Sequence, residues 1–181
     1  MTEGTTEITR IVLEDAQKIM EHDREERNDP ILYTKKNVQE TMKLAKKVQY
    51  NRETEVLDGV TATWKDAGHI LGSAFLEVTV GEKTIAFSGD IGNNNVPILK
   101  ETQELDSIDT LIVESTYGDS IHEARDKSTE IMLNLIKKAC KNEGTVMMPA
   151  FSIERTQELL YSLHQASDNS ESELLKNLSL Y

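Results

Sequence analysis

The sequence is short of several things, and each shortage narrows what the chain can be. One cysteine, Cys140, stands among 181 residues, so neither an internal disulfide framework nor a cysteine-built zinc site is open to it. That usage assigns the chain to the cytoplasm. No apolar run approaches the ~18 residues that a membrane span needs. Residues Met1 to Arg10 are polar and acidic, unlike a signal or transit peptide. Positive charge is scarce: 20 Lys and Arg against 32 Asp and Glu leave a net charge of −12 and a pI near 4.8. Such a balance excludes a broad basic surface that holds nucleic acid by charge alone. No Gly-x-Gly-x-x-Gly or Walker pattern is present to cradle phosphate, and there is no His-x-Glu-x-x-His, no His-x-His and no cysteine pair.

What is there describes a polar globular chain, 38% hydrophobic, long enough for one domain or pieces of two. The first fifty residues read as helix. Ile8, Ile11, Val12, Ile19 and Met20 recur at three- and four-residue spacings, Leu13 and Ala16 widen the stripe, and Thr5 and Thr6 are the N-cap candidates. A charged run, Glu21 to Asp29, is closed by Pro30. A second helix starts near Thr34 and carries Val38, Met42 and Ala45. Their charge makes both helices peripheral.

From Gly59 the pattern changes to strands, over Val60 to Trp64, Ala74 to Val80 and Lys83 to Ser88, with a turn at Gly81-Glu82. A loop dense in Gly and Asn follows from Gly89 to Asn95, and a short strand spans Thr110 to Glu114. Beyond it come a helix over His122 to Asn142 with Ile131, Leu135 and Ile136 on one face, then a buried strand over Thr145 to Met148 ended by Pro149. A helix over Ile153 to Gln165, a polar linker over Asp168 to Glu173 and the start of a strand at Leu178 to Tyr181 complete the chain. Hairpins followed by strands alternating with helices indicate a mixed α/β architecture.

Three loops carry polar groups among small residues. In Asp66-Ala67-Gly68-His69-Ile70-Leu71-Gly72-Ser73, glycines on both sides of His69 permit tight turns that present its imidazole, although for this motif taken alone a buried histidine satisfying its own loop is the favoured reading. In Phe87-Ser88-Gly89-Asp90-Ile91-Gly92, a carboxylate at the end of an apolar strand suits a metal ligand or an Asp turn. In Val113-Glu114-Ser115-Thr116-Tyr117-Gly118-Asp119, Glu114 ends an apolar strand, where an ionised side chain needs a partner or solvent. An imidazole and a carboxylate suit Zn²⁺, but a catalytic zinc takes three protein ligands and an open position. His22, His122 and His164 read as surface histidines, so His69 and Asp90 stand alone as donors. Arg155 offers a charge to phosphate at a helix N-terminus or a salt bridge to Glu154 or Glu158.

These three loops, followed in order by Pro149-Ala150-Phe151-Ser152-Ile153-Glu154-Arg155-Thr156-Gln157-Glu158-Leu159-Leu160, resemble the β-CASP branch of the metallo-β-lactamase superfamily. Within it the likeness is to RNA-processing nucleases akin to the endonuclease subunit of the cleavage and polyadenylation specificity factor, and to their prokaryotic relatives. The resemblance implies part of a metallo-β-lactamase αβ/βα sandwich over residues 1–118 and the beginning of a β-CASP domain over 119–181. It implies that His69 binds one zinc, that Asp90 bridges two, and that Glu114 matches the acidic β-CASP motif that orients a downstream histidine acting as general acid. The implied activity is hydrolysis of RNA phosphodiesters by metal-activated water, with RNA as partner and a homodimer as an option.

The family's His-x-His-x-Asp-His segment does not occur here, nor do its later histidine motifs. The resemblance therefore implies the middle of a longer enzyme, with too few ligands for a dinuclear site. The alternative is a catalytically incomplete interaction or scaffold module of the same fold. With a net charge of −12, RNA binding would have to rely on a local groove or on segments outside this sequence.

Overall fold

A computed structural model describes residues 1–168 and 178–179. The chain divides into two compact units, Met1–Glu114 and Ser115–Tyr181.

The first unit opens with helix α1, Glu3–Arg27, and helix α2, Lys35–Leu44. α1 is longer at both ends than its apolar stripe predicts. Thr2 is the N-cap, its side chain accepting from Thr5 N at 3.1 Å, so Thr5 and Thr6 lie inside the helix rather than capping it. The charged run continues the helix because Glu and Arg are good helix formers. It stops at Asn28, left-handed at φ 57°, whose N–H donates to Arg24 O. α2 starts where expected: Thr34 accepts from Asn37 N, and Asn37 Oδ1 accepts from Thr34 N, a reciprocal cap. Val38 is buried, whereas Ile11, Val12 and Ile19 of α1 stay exposed.

The remainder of this unit is one five-stranded sheet in the order β1 (Thr54–Leu57), β2 (Val60–Asp66), β3 (Ala74–Val80), β4 (Lys83–Phe87), β5 (Thr110–Ile112). The first four strands are antiparallel, and β5 runs parallel to β4. β1 is absent from the sequence reading, although the Asp58-Gly59 pair behind Thr-Glu-Val-Leu is a hairpin signal. β5 ends at Ile112, short of Glu114, because Glu114 N turns to the Ser88 side chain rather than to the ladder.

The register sets the two faces. Ala62, Trp64, Leu76, Val78, Ile85, Phe87 and Ile112 share one face, and Thr61, Thr63, Lys65, Phe75, Glu77, Thr79, Thr84 and Ala86 share the other. On the second face the buried Lys65 ammonium lies 3.3 Å from Glu77 and is paired with Asp106. Burial pulls its pKa down, but the Asp106 and Glu77 carboxylates that face the ammonium outweigh that and hold it above the usual 10.5. The same topology sends the carboxyl ends of β2, β4 and β5 to one end of the sheet, where all three polar loops emerge.

The second unit contains α3, Arg125–Lys141, and α4, Arg155–Asp168. Ile136 and Leu163 are its buried apolar residues, with Met132, Leu133, Cys140, Val146, Ala166 and Leu178 packed against them. Three expectations are corrected here. α3 begins at Arg125 rather than His122, and the His122 ring instead meets Tyr117 edge-on at 4.7 Å. Of its expected face only Ile136 is buried; Ile131 and Leu135 are exposed. Thr145 to Met148 is not a strand: Val146 is half-buried, but Met147 is 89% exposed. An extended segment becomes a strand only against a partner edge, and among the described residues this unit has no other strand. Asp168 belongs to α4, the rest of the expected linker lies outside the described residues, and Leu178 and Ser179 have no regular structure. Among the described residues no helix is long and apolar enough to cross a membrane.

Candidate metal centre

The loop between β2 and β3 presents His69. Its backbone is tied to itself: His69 N and Ile70 N both donate to Ser73 Oγ, at 3.1 and 3.2 Å, and Gly68 N donates to Asp66 Oδ1 at 3.0 Å. The far side of the loop is gripped by α1, where the hydroxyls of Thr2 and Thr5 both donate to Gly72 O at 2.7 Å. Gly72 has φ +86°, and a Cβ there would fall 2.6 Å from the Gly4 carbonyl carbon, so helix and loop meet where neither carries a side chain.

The loop after β4 presents Asp90. Ser88, buried at its base, donates N–H to Ile112 O and accepts from Glu114 N, both at 2.9 Å. Ile91 N donates to Glu114 Oε1 at 2.7 Å, so the carboxylate of the third loop braces the second. The first two loops join directly, Gly92 N donating to Ala67 O at 2.8 Å. A Cβ on Gly92 would overlap the Gly68 carbonyl and reach His69 N at 2.7 Å, so this crossing requires glycine.

The outcome is that His69 Nε2 and Asp90 Oδ2 stand 3.8 Å apart, with side chains 44% and 75% exposed. That separation is too long for a hydrogen bond. It is near the ~3.3 Å edge of a tetrahedron built from ~2.0 Å metal bonds. Imidazole nitrogen and carboxylate oxygen are both ligands for Zn²⁺ and similar ions. The pair therefore fits two positions of a metal site. Among the described residues no group of three or more His, Cys, Asp and Glu is assembled, so the pair does not make a whole one. Glu114 stands behind the Asp90 loop, bonded to its backbone.

His22 and His164 lie on helix surfaces as the sequence places them, facing Glu26 and Asp168, both at 3.4 Å one turn apart, whereas His122 precedes α3 rather than beginning it. Of the two readings of Arg155 the salt bridge is present, with Nη1 2.9 Å from Glu158 Oε2, and Arg125 holds the other oxygen at 3.3 Å. The sequence reading misses Thr102 and Gln103. Gln103 N donates to Asp66 O at 2.9 Å, Asp66 N donates to Gln103 Oε1 at 2.7 Å, and Thr102 Oγ1 donates to Ala67 O at 2.8 Å. Nothing in the pattern of this irregular stretch marks them, because their partners lie 35 to 37 residues away.

The mixed α/β architecture with its five-stranded sheet is consistent with part of a metallo-β-lactamase fold, and the relatives point the same way. No profile of a known protein family matches the chain. Individual proteins do: it is 31% identical to a ribonuclease of Thermus thermophilus over 163 residues, 90% of this chain and 36% of that protein. It is 34% identical over 131 residues to an RNase J-like protein of Methanocaldococcus jannaschii, 71% of this chain and 31% of that one. It is 31% identical over 173 residues to cleavage and polyadenylation specificity factor 73 of Drosophila melanogaster, 91% of this chain and 24% of the factor. The chain is thus a homologue of the β-CASP metallo-β-lactamase nucleases over most of its length, and it spans about a third or less of the length of these relatives.

Proposed function

We propose that this chain is part of a metal-dependent ribonuclease that hydrolyses RNA phosphodiesters, with zinc as the metal. The observation that carries the reading is the 3.8 Å approach of His69 and Asp90 on two loops bonded to each other, the second also braced by Glu114, in a chain whose relatives bear the names ribonuclease and polyadenylation factor. In this reading His69 and Asp90 hold the metal, and the other ligands come from parts of a longer protein outside these 181 residues. Residues from 119 onward form the opening of its β-CASP domain. When bound, the metal supplies Lewis acidity to the phosphate and activation of the attacking water.

The residues present do the positioning. Ser73 fixes the backbone on which the imidazole sits, leaving the ring free to coordinate. Glu114, by accepting from Ile91 N, fixes the backbone on which the Asp90 carboxylate sits. The exposure of both side chains leaves the site open to a polymeric substrate. The test is cleavage of single-stranded RNA by the complete enzyme in zinc. Asp90→Ala removes a ligand of the metal that would stabilise the developing charge, and is expected to lower the rate at least ~100-fold. Cleavage persisting in Asp90→Ala at the parent rate overturns the proposal.

A further inference from the structure

We propose that Thr102 is a positioning residue for His69: it latches a strap, Lys100–Gln103, that sets how the His69 loop lies against the Asp90 loop. The role assigned to the pair rests on the metal reading above. The latch centres on one carbonyl. Ala67 is wholly buried, and its oxygen has two lone pairs. Gly92 N takes one at 2.8 Å, bringing the Asp90 loop in, and Thr102 Oγ1 takes the other at 2.8 Å, bringing the strap in. Both donors therefore converge two residues before His69.

The rest of the strap admits little slack. Gln103 makes its reciprocal pair of bonds to Asp66, one residue before Ala67. Backbone atoms of the strap also crowd Gly68: a Cβ there would stand 2.8 Å from Lys100 O and 2.9 Å from Thr102 N. Farther along, Asp106 is ion-paired with the buried Lys65, one residue before Asp66. A segment without regular structure is thus fixed to the residues on which the His69 loop is mounted. The threonine hydroxyl is the one side-chain donor in that set reaching the carbonyl that both loops share. Its other neighbour, Gly92 O at 3.4 Å, is too far to compete for the single proton.

Thr102→Val keeps the size and the branching of the side chain and removes only the donor, leaving a buried acceptor half satisfied. Thr102→Ser keeps the donor. The experiment measures amide hydrogen exchange of the metal-free complete enzyme, then titrates it with Zn²⁺, for the parent, both variants and His69→Ala. Thr102→Val is expected to speed exchange at Gly92 about five- to tenfold, with the central amides of β3 and β4 at parent rates. It is also expected to weaken Zn²⁺ binding several-fold, and Thr102→Ser is expected to restore both. Parent-like exchange at Gly92 in Thr102→Val overturns the proposal, and so does faster exchange spread evenly over the sheet, which marks general destabilisation. Zinc affinity unchanged in His69→Ala overturns the metal reading instead, and the metal-free exchange data keep the two failures apart.

Discussion

The two units of the chain are held by different means. In Met1–Glu114 the wholly buried residues are small, Ala67 and Ala86, and the structure is fixed by hydrogen bonds among strands and loops. In Ser115–Tyr181 two helices meet over Ile136 and Leu163, a buried Glu158 is clamped by two arginines, and Met147 and Phe151 stand 89% and 87% exposed. The difference teaches where rigidity is concentrated. The loops that bring His69 and Asp90 to 3.8 Å are tied by directional bonds, which fix position; apolar contact between two helices tolerates sliding.

The comparison breaks hardest at Gly92. Gly92→Ala places a methyl on the Gly68 carbonyl, so the two loops must part, and a loss of about 4 kcal/mol or more is expected. Urea denaturation reads it; a parent-like midpoint means the crossing is looser than its geometry. Next is Lys65→Met, which leaves the nearly buried Glu77 carboxylate unpaired and is expected to cost about 3 kcal/mol. The sign with pH follows from Lys65 having its pKa raised above 10.5 by Asp106 and Glu77 against the pull of burial. Its contribution is full below about pH 10.5, the value of the unfolded chain, and fades as pH rises through the higher folded value. The gap between parent and variant should therefore close in strong alkali. A gap that widens there contradicts the pairing.

The smallest effect belongs to the second unit. Glu158→Gln keeps the shape and one hydrogen-bonding oxygen but removes the charge facing Arg125 and Arg155, for an expected loss of about 1 kcal/mol. Thermal unfolding of the variant checks it. A loss as large as that of Lys65→Met would show that the second unit depends on buried charge as much as the first.

Much of the sheet was legible because its signals are local. Alternation over Ala74 to Val80 and the Gly81-Glu82 turn mark the hairpin of β3 and β4, and the start of α2 falls at Thr34 as its apolar spacing indicates. Thr145 to Met148 misled because its composition is that of a strand while the partner edge a strand needs lies beyond any local signal. The extent of α1 was hidden for a related reason: its apolar stripe ends before its helix-forming charged residues do.

Read alone, the sequence determined which chemistry is available: one imidazole and one carboxylate among small residues, no cysteine pair, and a balance of charge hostile to nonspecific RNA binding. Residue type and near-neighbour spacing settle such matters, because they depend on side-chain chemistry and backbone freedom at single positions. That His69 and Asp90 approach to 3.8 Å, that Glu114 stands behind the Asp90 loop, and that Thr102 ties the junction were decided only by the tertiary structure. These are relations between segments 21 to 35 residues apart, fixed by strand order and register, and no local pattern encodes a distance across a sheet.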